Sequence, residues 1–186
     1  MRIIAGKYRG KKLLSPISQE TRPTSDRARE MIFDILLHNP AFGPTSLIDK
    51  NVLDVFAGVG ALGLEALSRG AKSITFIENS RTTLPILYTN LKAFDLSSPQ
   101  VLERDALSLG KAPSPFDVVF LDPPYMKGLV LPTLTQLFLN GWLAHKAVVV
   151  IEISKNESLE MPSFLSLELE RSAGAAKIMF CSAHIY

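Results

Sequence analysis

Cysteine is almost absent. The single Cys181 excludes an internal disulfide and fits a reducing compartment. No apolar run approaches the roughly 20 residues that a bilayer-spanning helix needs. The start, Met1-Arg2-Ile3-Ile4-Ala5-Gly6-Lys7, carries neither a long apolar core nor a cleavage site, so no signal peptide is expected and cytoplasm is the expected location. The three histidines, His38, His145 and His184, have no Cys or His at ligand spacing, so no metal centre is expected. A G-x-S-x-G nucleophile elbow is missing, as are internal repeats and low-complexity tracts.

What remains is a globular profile. Of 186 residues, 47% are apolar and 20% charged, enough core for one domain with at most a small appendage. The net charge of +2 is unevenly spread: residues 1–31 hold eight Lys and Arg against three acids, a local +5, and the rest sums to −3. A basic end on a mildly acidic body suits a polyanion such as nucleic acid, although a solvated charged terminus would look the same.

Residues 2–14 alternate loosely around Gly6 and Gly10 and read as a basic β-hairpin. A polar loop, 15–25, containing Arg22-Pro23-Thr24 leads to a helix over about Asp26–His38. Thr24 or Ser25 caps that helix, and Ala28, Met31, Ile32, Ile35 and Leu36 fall on one face. Asn39-Pro40 stops it. Beyond a connector at 41–50 the pattern alternates. Strands are expected at 52–56, 73–77, 100–104, 116–121 and 147–153, with helices at 61–69, within 80–94 (starting late or bending at Pro85) and at 132–139. The tail, 166–170 and 177–184, reads as two adjoining strands. The expected fold is therefore α/β: a doubly wound, mostly parallel sheet with an antiparallel C-terminal edge hairpin (41–186), preceded by a basic hairpin-and-helix appendage (1–40).

Two stretches carry chemistry. Leu53-Asp54-Val55-Phe56-Ala57-Gly58-Val59-Gly60-Ala61-Leu62-Gly63 runs strand, tight turn, helix and satisfies G-x-G-x-x-G, with Glu78 ending the next strand. A dinucleotide site would read this way too, but Asp54 beside the loop repels a pyrophosphate and attracts a cation, such as the sulfonium and ammonium groups of S-adenosylmethionine. Asp105, just past the third strand, is placed either to accept from an adenine amino group or to cap a turn. In the second stretch, Phe116–Leu121 runs into Asp122-Pro123-Pro124-Tyr125. The two prolines end the strand in a stiff corner. A carboxylate, two carbonyls without competing N–H groups and an aromatic ring are then set to grip a flat base by its exocyclic amine. A plain strand-ending turn is the structural alternative. Trp142 and Cys181 read as packing residues.

Together these residues resemble the class I S-adenosylmethionine-dependent methyltransferases. The chain is most similar to the RsmD family, which methylates a guanine N2 of bacterial small-subunit (16S) ribosomal RNA. The likeness runs from Arg2-Ile3-Ile4-Ala5-Gly6-Lys7-Tyr8-Arg9-Gly10 through Arg22-Pro23-Thr24, Asp26-Arg27-Ala28-Arg29-Glu30, the glycine loop and Glu78-Asn79 to Asp122–Tyr125. It implies a Rossmann-like methyltransferase sheet and S-adenosylmethionine held at Asp54, Phe56, Gly58, Gly60, Glu78, Asn79, Asp105 and Ala106. It further implies a target base at Asp122, Pro123, Pro124 and Tyr125. Ribosomal RNA, or a small-subunit assembly intermediate, would lie along Arg2, Lys7, Arg9, Lys11, Lys12, Arg22, Arg27 and Arg29. A monomer is expected. Ala173-Gly174-Ala175-Ala176 departs from the family, where a Tyr-Gly pair would stand. The rival readings are a DNA adenine-N6 methyltransferase, a protein-glutamine methyltransferase, and a ribosome-assembly RNA binder without turnover.

Overall fold

The computed structural model of the chain describes residues 1–16, 26–43, 46–94 and 100–185. In chain order its elements are α1 (Asp26–His38), β1 (Asn51–Val55), α2 (Ala61–Ser68), β2 (Ser73–Ile77), α3 (Leu84–Lys92), β3 (Gln100–Leu102), β4 (Phe116–Leu121), α4 (Val130–Leu139), β5 (Leu143–Ser154), β6 (Leu165–Ala173) and β7 (Ala176–Ala183). The strands form one seven-stranded sheet in the order β3-β2-β1-β4-β5-β7-β6. Strands β1 to β5 run parallel, and β7 inserts antiparallel between β5 and β6. Strand order reverses between β1 and β4, the switch point beside which doubly wound sheets bind ligands. The expected fold class is the one observed.

Local sequence explains most boundaries. Pro85 sits in the first turn of α3, where its missing N–H costs nothing, so the helix begins at Leu84 rather than kinking. Strand β5 starts four residues earlier than its apolar run. Leu143 pairs with Phe116, the register then shifts, and Lys146 takes φ 63° at that irregularity. The β6–β7 hairpin closes on the Ala173–Ala176 pair, with Gly174 at φ 62° supplying the turn.

The strands alternate side chains between two cores. One face buries Val52, Phe76, Phe120 and Val150 under α1, α2 and α3; the other buries Leu53, Val119, Val149 and Cys181, with α4 and Trp142. Trp142 is fully buried, stacks on Phe116 and donates its indole N–H to the Gly110 carbonyl at 2.8 Å. Burial pushes the Cys181 thiol up to about 12, so it stays protonated and inert at neutral pH.

The basic N-terminal segment is narrower than the expected hairpin: Arg2 and Lys12 form one antiparallel bridge, flanked by Ile3 N–H to Lys11 O and Leu13 N–H to Met1 O. It shares the main core rather than building its own. Ile3 and Leu13 are buried in the same cluster as Phe33, Leu36 and Phe120. Its backbone is bolted to α2, because Glu65 accepts the Ile4 and Ala5 N–H groups at 2.8 and 3.0 Å. Ser68 Oγ accepts from Tyr8 N–H, and Ser68 O from Lys7 N–H.

Candidate active site

Sheet register decides what lies together at the carboxyl ends. Val55 pairs with Ile77 on one side and with Leu121 on the other, and Leu121 pairs with Ile151. One residue further along each strand come Glu78, Phe56, Asp122 and Glu152, a row crossing β2, β1, β4 and β5. Asp54 lies two residues before Phe56 on β1. Distant stretches of sequence thus bring four carboxylates to one end of the sheet.

Each carboxylate has a defined setting. Asp54 is 1% exposed and accepts the Gly63 N–H at 2.8 Å, at the first turn of α2. Helix α2 approaches the sheet this closely only because residue 63 is glycine: a Cβ there would stand 2.5 Å from Phe76 Cε1. Burial drives the Asp54 carboxyl well above the ordinary carboxylate range; the Gly63 hydrogen bond opposes this, and the negative charges of Asp122 and Glu78 add to it. Glu78 accepts Gly58 N–H on Oε2 at 2.7 Å and both Asn79 and Ser80 N–H on Oε1, tying the glycine turn to the end of β2. The space beside Gly58 is open, since a Cβ there would meet nothing nearer than the Phe56 carbonyl at 3.9 Å, whereas Gly60 is packed against Leu87. An open turn lined by acids on three neighbouring strands suits a small cation and opposes a pyrophosphate.

Asp122 and Tyr125 are half-buried, Pro123 is buried and Pro124 exposed. The Tyr125 hydroxyl donates to Glu152 Oε1 at 2.5 Å. Phe56 adopts φ 60°, a left-handed conformation at the bend leaving β1. Asp105 lies apart from this row at the β3 edge; it is exposed, its Oδ1 accepts Leu107 N–H at 2.9 Å, and Ala106 beside it is buried. Asn79 is exposed at the mouth of the turn.

Of the expected RNA contacts, Arg2, Lys7, Arg9, Lys12 and Arg27 are exposed. Lys11 is half-buried, with its ammonium 4.6 Å from the Phe94 ring centre and 5.3 Å from that of Tyr8. Arg22 lies outside the described residues. Arg29 corrects its expectation: it is 0% exposed, and its Nη2 donates to the Arg2 carbonyl at 3.0 Å and to Asp26 at 2.5 Å. A guanidinium enclosed this way braces the bridge strand against α1 and does not face solvent phosphates. Counting Arg29 among the surface cations of the basic N-terminal segment missed this, although position 29 lies one turn before Phe33 on the buried face.

Sequence reasoning also passed over Glu65, Asn90 and Glu152. Asn90, 2% exposed, accepts Leu14 N–H at 2.8 Å and donates to the carbonyls of Leu14 and Val59 at 3.1 and 2.9 Å. It therefore joins the basic segment to the glycine turn. The usable signal for the two glutamates was a lone acid inside an apolar run, Leu64-Glu65-Ala66 and Ile151-Glu152-Ile153. A buried carboxylate is kept only where donors wait for it.

Residues 1–182 match the family described as conserved hypothetical protein 95. The chain is 41% identical over 176 residues to ribosomal RNA small subunit methyltransferase D of Escherichia coli strain K12, covering 94% of this chain and 85% of that protein. It is 38% identical over 179 residues to the protein of the same name from Haemophilus influenzae, covering 94% and 89%. Among solved structures, "Putative methyltransferase yhhF from Escherichia coli" superposes with a TM-score of 0.85 at 37% identity, covering 100% of this chain and 99% of the other.

Proposed function

From the premise that the chain belongs to the conserved hypothetical protein 95 family, with ribosomal RNA small subunit methyltransferase D proteins among its homologues, we propose that it methylates ribosomal RNA from S-adenosylmethionine. The acceptor is an exocyclic base amine, guanine N2 of small-subunit RNA. The observation that carries this reading is the register row: an acid-lined, open glycine turn on β1 and β2 beside the Asp-Pro-Pro-Tyr corner on β4. A cation-binding cradle and an amine-gripping corner share one cleft.

Asp54, Phe56, Gly58, Gly60, Glu78 and Asn79 hold the cofactor, with Asp105 and Ala106 flanking its adenine side. When bound, S-adenosylmethionine supplies an electrophilic methyl group on a positively charged sulfur. An amine conjugated to a purine ring is a poor nucleophile because its lone pair is delocalised. Asp122 and a carbonyl of the proline pair accept its two N–H groups, which favours a pyramidal nitrogen with its lone pair free. Tyr125 stacks on the base. Unpairing that base costs a few kcal/mol unless it is already exposed. Catalysis on this reading is positioning and fixed electrostatics. Arg2, Lys7, Arg9, Lys11, Lys12 and Arg27 hold the phosphates, so RNA affinity falls steeply with salt.

The direct test is incubation with labelled methyl donor and unmodified 16S RNA, small-subunit particles or duplex DNA, followed by mass spectrometry of the nucleosides. N2-methylguanine from either RNA substrate supports the proposal; N6-methyladenine in DNA, or no transfer, overturns it.

Asp54 adds a pH dependence. Its raised pKa means that a neutral carboxylic acid persists to higher pH than usual in the free protein, whereas a cationic cofactor prefers the carboxylate. Cofactor affinity is expected to be weak below that pKa and to rise with pH, by up to about tenfold per unit, until it levels off once the acid has ionised. Binding below the plateau releases a proton. Calorimetry in buffers of different ionisation enthalpy measures that release, and Asp54→Asn is expected to bind weakly and to flatten the profile.

A further inference from the structure

Asp122-Pro123-Pro124-Tyr125 is short of backbone donors. Neither proline has an N–H, so the corner has fewer backbone donors with which to anchor its own conformation. The fastening comes from the next strand. Glu152, 5% exposed, stands one residue beyond Ile151, which pairs with Leu121, and its Oε1 accepts the Tyr125 hydroxyl at 2.5 Å. Glu157, just past β5, accepts Met126 N–H on Oε1 and Ser154 N–H on Oε2, both at 2.9 Å. Met126 needs such a hold: it sits at φ 58° and is 66% exposed, so packing does little to keep it in that conformation. The frame behind the two glutamates is rigid, for β5 is hydrogen-bonded to β4 on one side and to β7 on the other, with Glu152 opposite Ile178.

We propose that Glu152 and Glu157 are positioning residues for the base-binding corner: Glu152 fixes the direction in which the Tyr125 ring points by holding its hydroxyl, and Glu157 fixes the backbone that follows. Stacking depends on ring orientation, and a misplacement of about 1 Å at a reacting geometry can lower a rate 100-fold. Loss of the phenol tie removes one constraint on where the Tyr125 ring lies. The corner then receives the base in several poses, few of which present the amine to Asp122. This inference rests on the methyltransfer reading, but the ties themselves are testable without turnover.

The experiment combines a double-mutant cycle with amide exchange. Tyr125→Phe keeps the ring and loses the tie; Glu152→Gln keeps an acceptor; Glu152→Leu removes it. Tyr125→Phe and Glu152→Leu are each expected to lower kcat/KM for RNA by about 10- to 100-fold, with S-adenosylhomocysteine affinity within about twofold of wild type. The double variant is expected to be no worse than either single one, and Glu152→Gln to restore most of the activity. In the free protein, Glu157→Ala is expected to speed exchange of the Met126 amide at least tenfold and Glu157→Gln to restore protection. Additive losses in the cycle, or Met126 exchange indifferent to residue 157, overturn the inference. A wild-type protein that transfers no methyl group while Met126 exchange still follows residue 157 overturns the methyltransfer reading and leaves the Glu157 tie standing.

Discussion

Asp122→Ala is expected to reduce methyl transfer by about 100- to 1,000-fold, the range found when one preorganised hydrogen-bonding group aimed at a reacting centre is removed. The proposed role of Asp122 leaves little to replace it, because a Pro carbonyl alone accepts only one of the two amine N–H groups. The same substitution has an opposite and more diagnostic effect on the cofactor. The Asp122 charge helps to hold the Asp54 pKa up, so deleting it lets Asp54 ionise at lower pH. Cofactor affinity is therefore expected to begin its rise with pH, and to level off, at lower pH than in the wild type. No general loss of structure produces that pair of results. Asp122→Asn keeps one good acceptor and is expected to fall between the two proteins in turnover. Single-turnover transfer measured beside calorimetry at two pH values decides the matter; an Asp122→Ala protein with normal turnover would falsify the assignment.

The parts of this cleft that could be read from sequence are those whose causes are local. Strand β4 runs Phe116–Leu121, the limits its composition implies, because an apolar run and two prolines are sufficient reasons to start and stop. The start of α3 at Leu84, one residue before Pro85, is likewise a consequence of adjacent residues. Glu152, Glu157, Glu65 and Arg29 were illegible because their meaning lies with partners 27, 31, 61 and 27 positions away. Composition marked the first 31 residues as an electrostatic handle and could not separate the arginine that braces the handle from those on its surface. Strand β3 shows the opposite failure: Gln100–Leu102 stops two residues short of the expected end at Arg104, since its partner β2 ends at Ile77, opposite Leu102. The Asn90 bridge belongs to the same class as the glutamates. An asparagine in the middle of a helix reads as surface polarity until its partners, at residue 14 and in the glycine turn, are known.

How firmly that handle is held is tested by two glycines with the same backbone angle. Gly6 and Gly10 both have φ +82°, so alanine at either position bears similar strain, about 1 kcal/mol. Their surroundings differ completely. A Cβ on Gly10 meets nothing within 4 Å, whereas one on Gly6 would lie 1.8 Å from the Ser68 carbonyl oxygen and 2.4 Å from its carbon. Those are backbone atoms of α2 and cannot swing aside, so the basic segment must lift off the helix. Lifting breaks the Ile4 and Ala5 bonds to Glu65 and the Lys7 and Tyr8 bonds to Ser68. It also leaves Glu65, 0% exposed, with Arg69 as its remaining partner at 2.7 Å. At about 1 kcal/mol for each of the four bonds, about 1 kcal/mol of strain and more for an under-satisfied buried carboxylate, Gly6→Ala is expected to destabilise the protein by roughly 5 kcal/mol or more. Gly10→Ala is expected to lose about 1 kcal/mol. Denaturant unfolding compares the two variants, and hydrogen exchange at Ile4, Ala5 and Tyr8 localises the damage. On the proposed function, the dislodged cations also cease to form one surface, so Gly6→Ala is expected to lose most RNA affinity and its salt dependence while Gly10→Ala keeps both. Equal behaviour of the two variants would mean that the segment is not seated on α2 as described, and that the polyanion is held elsewhere.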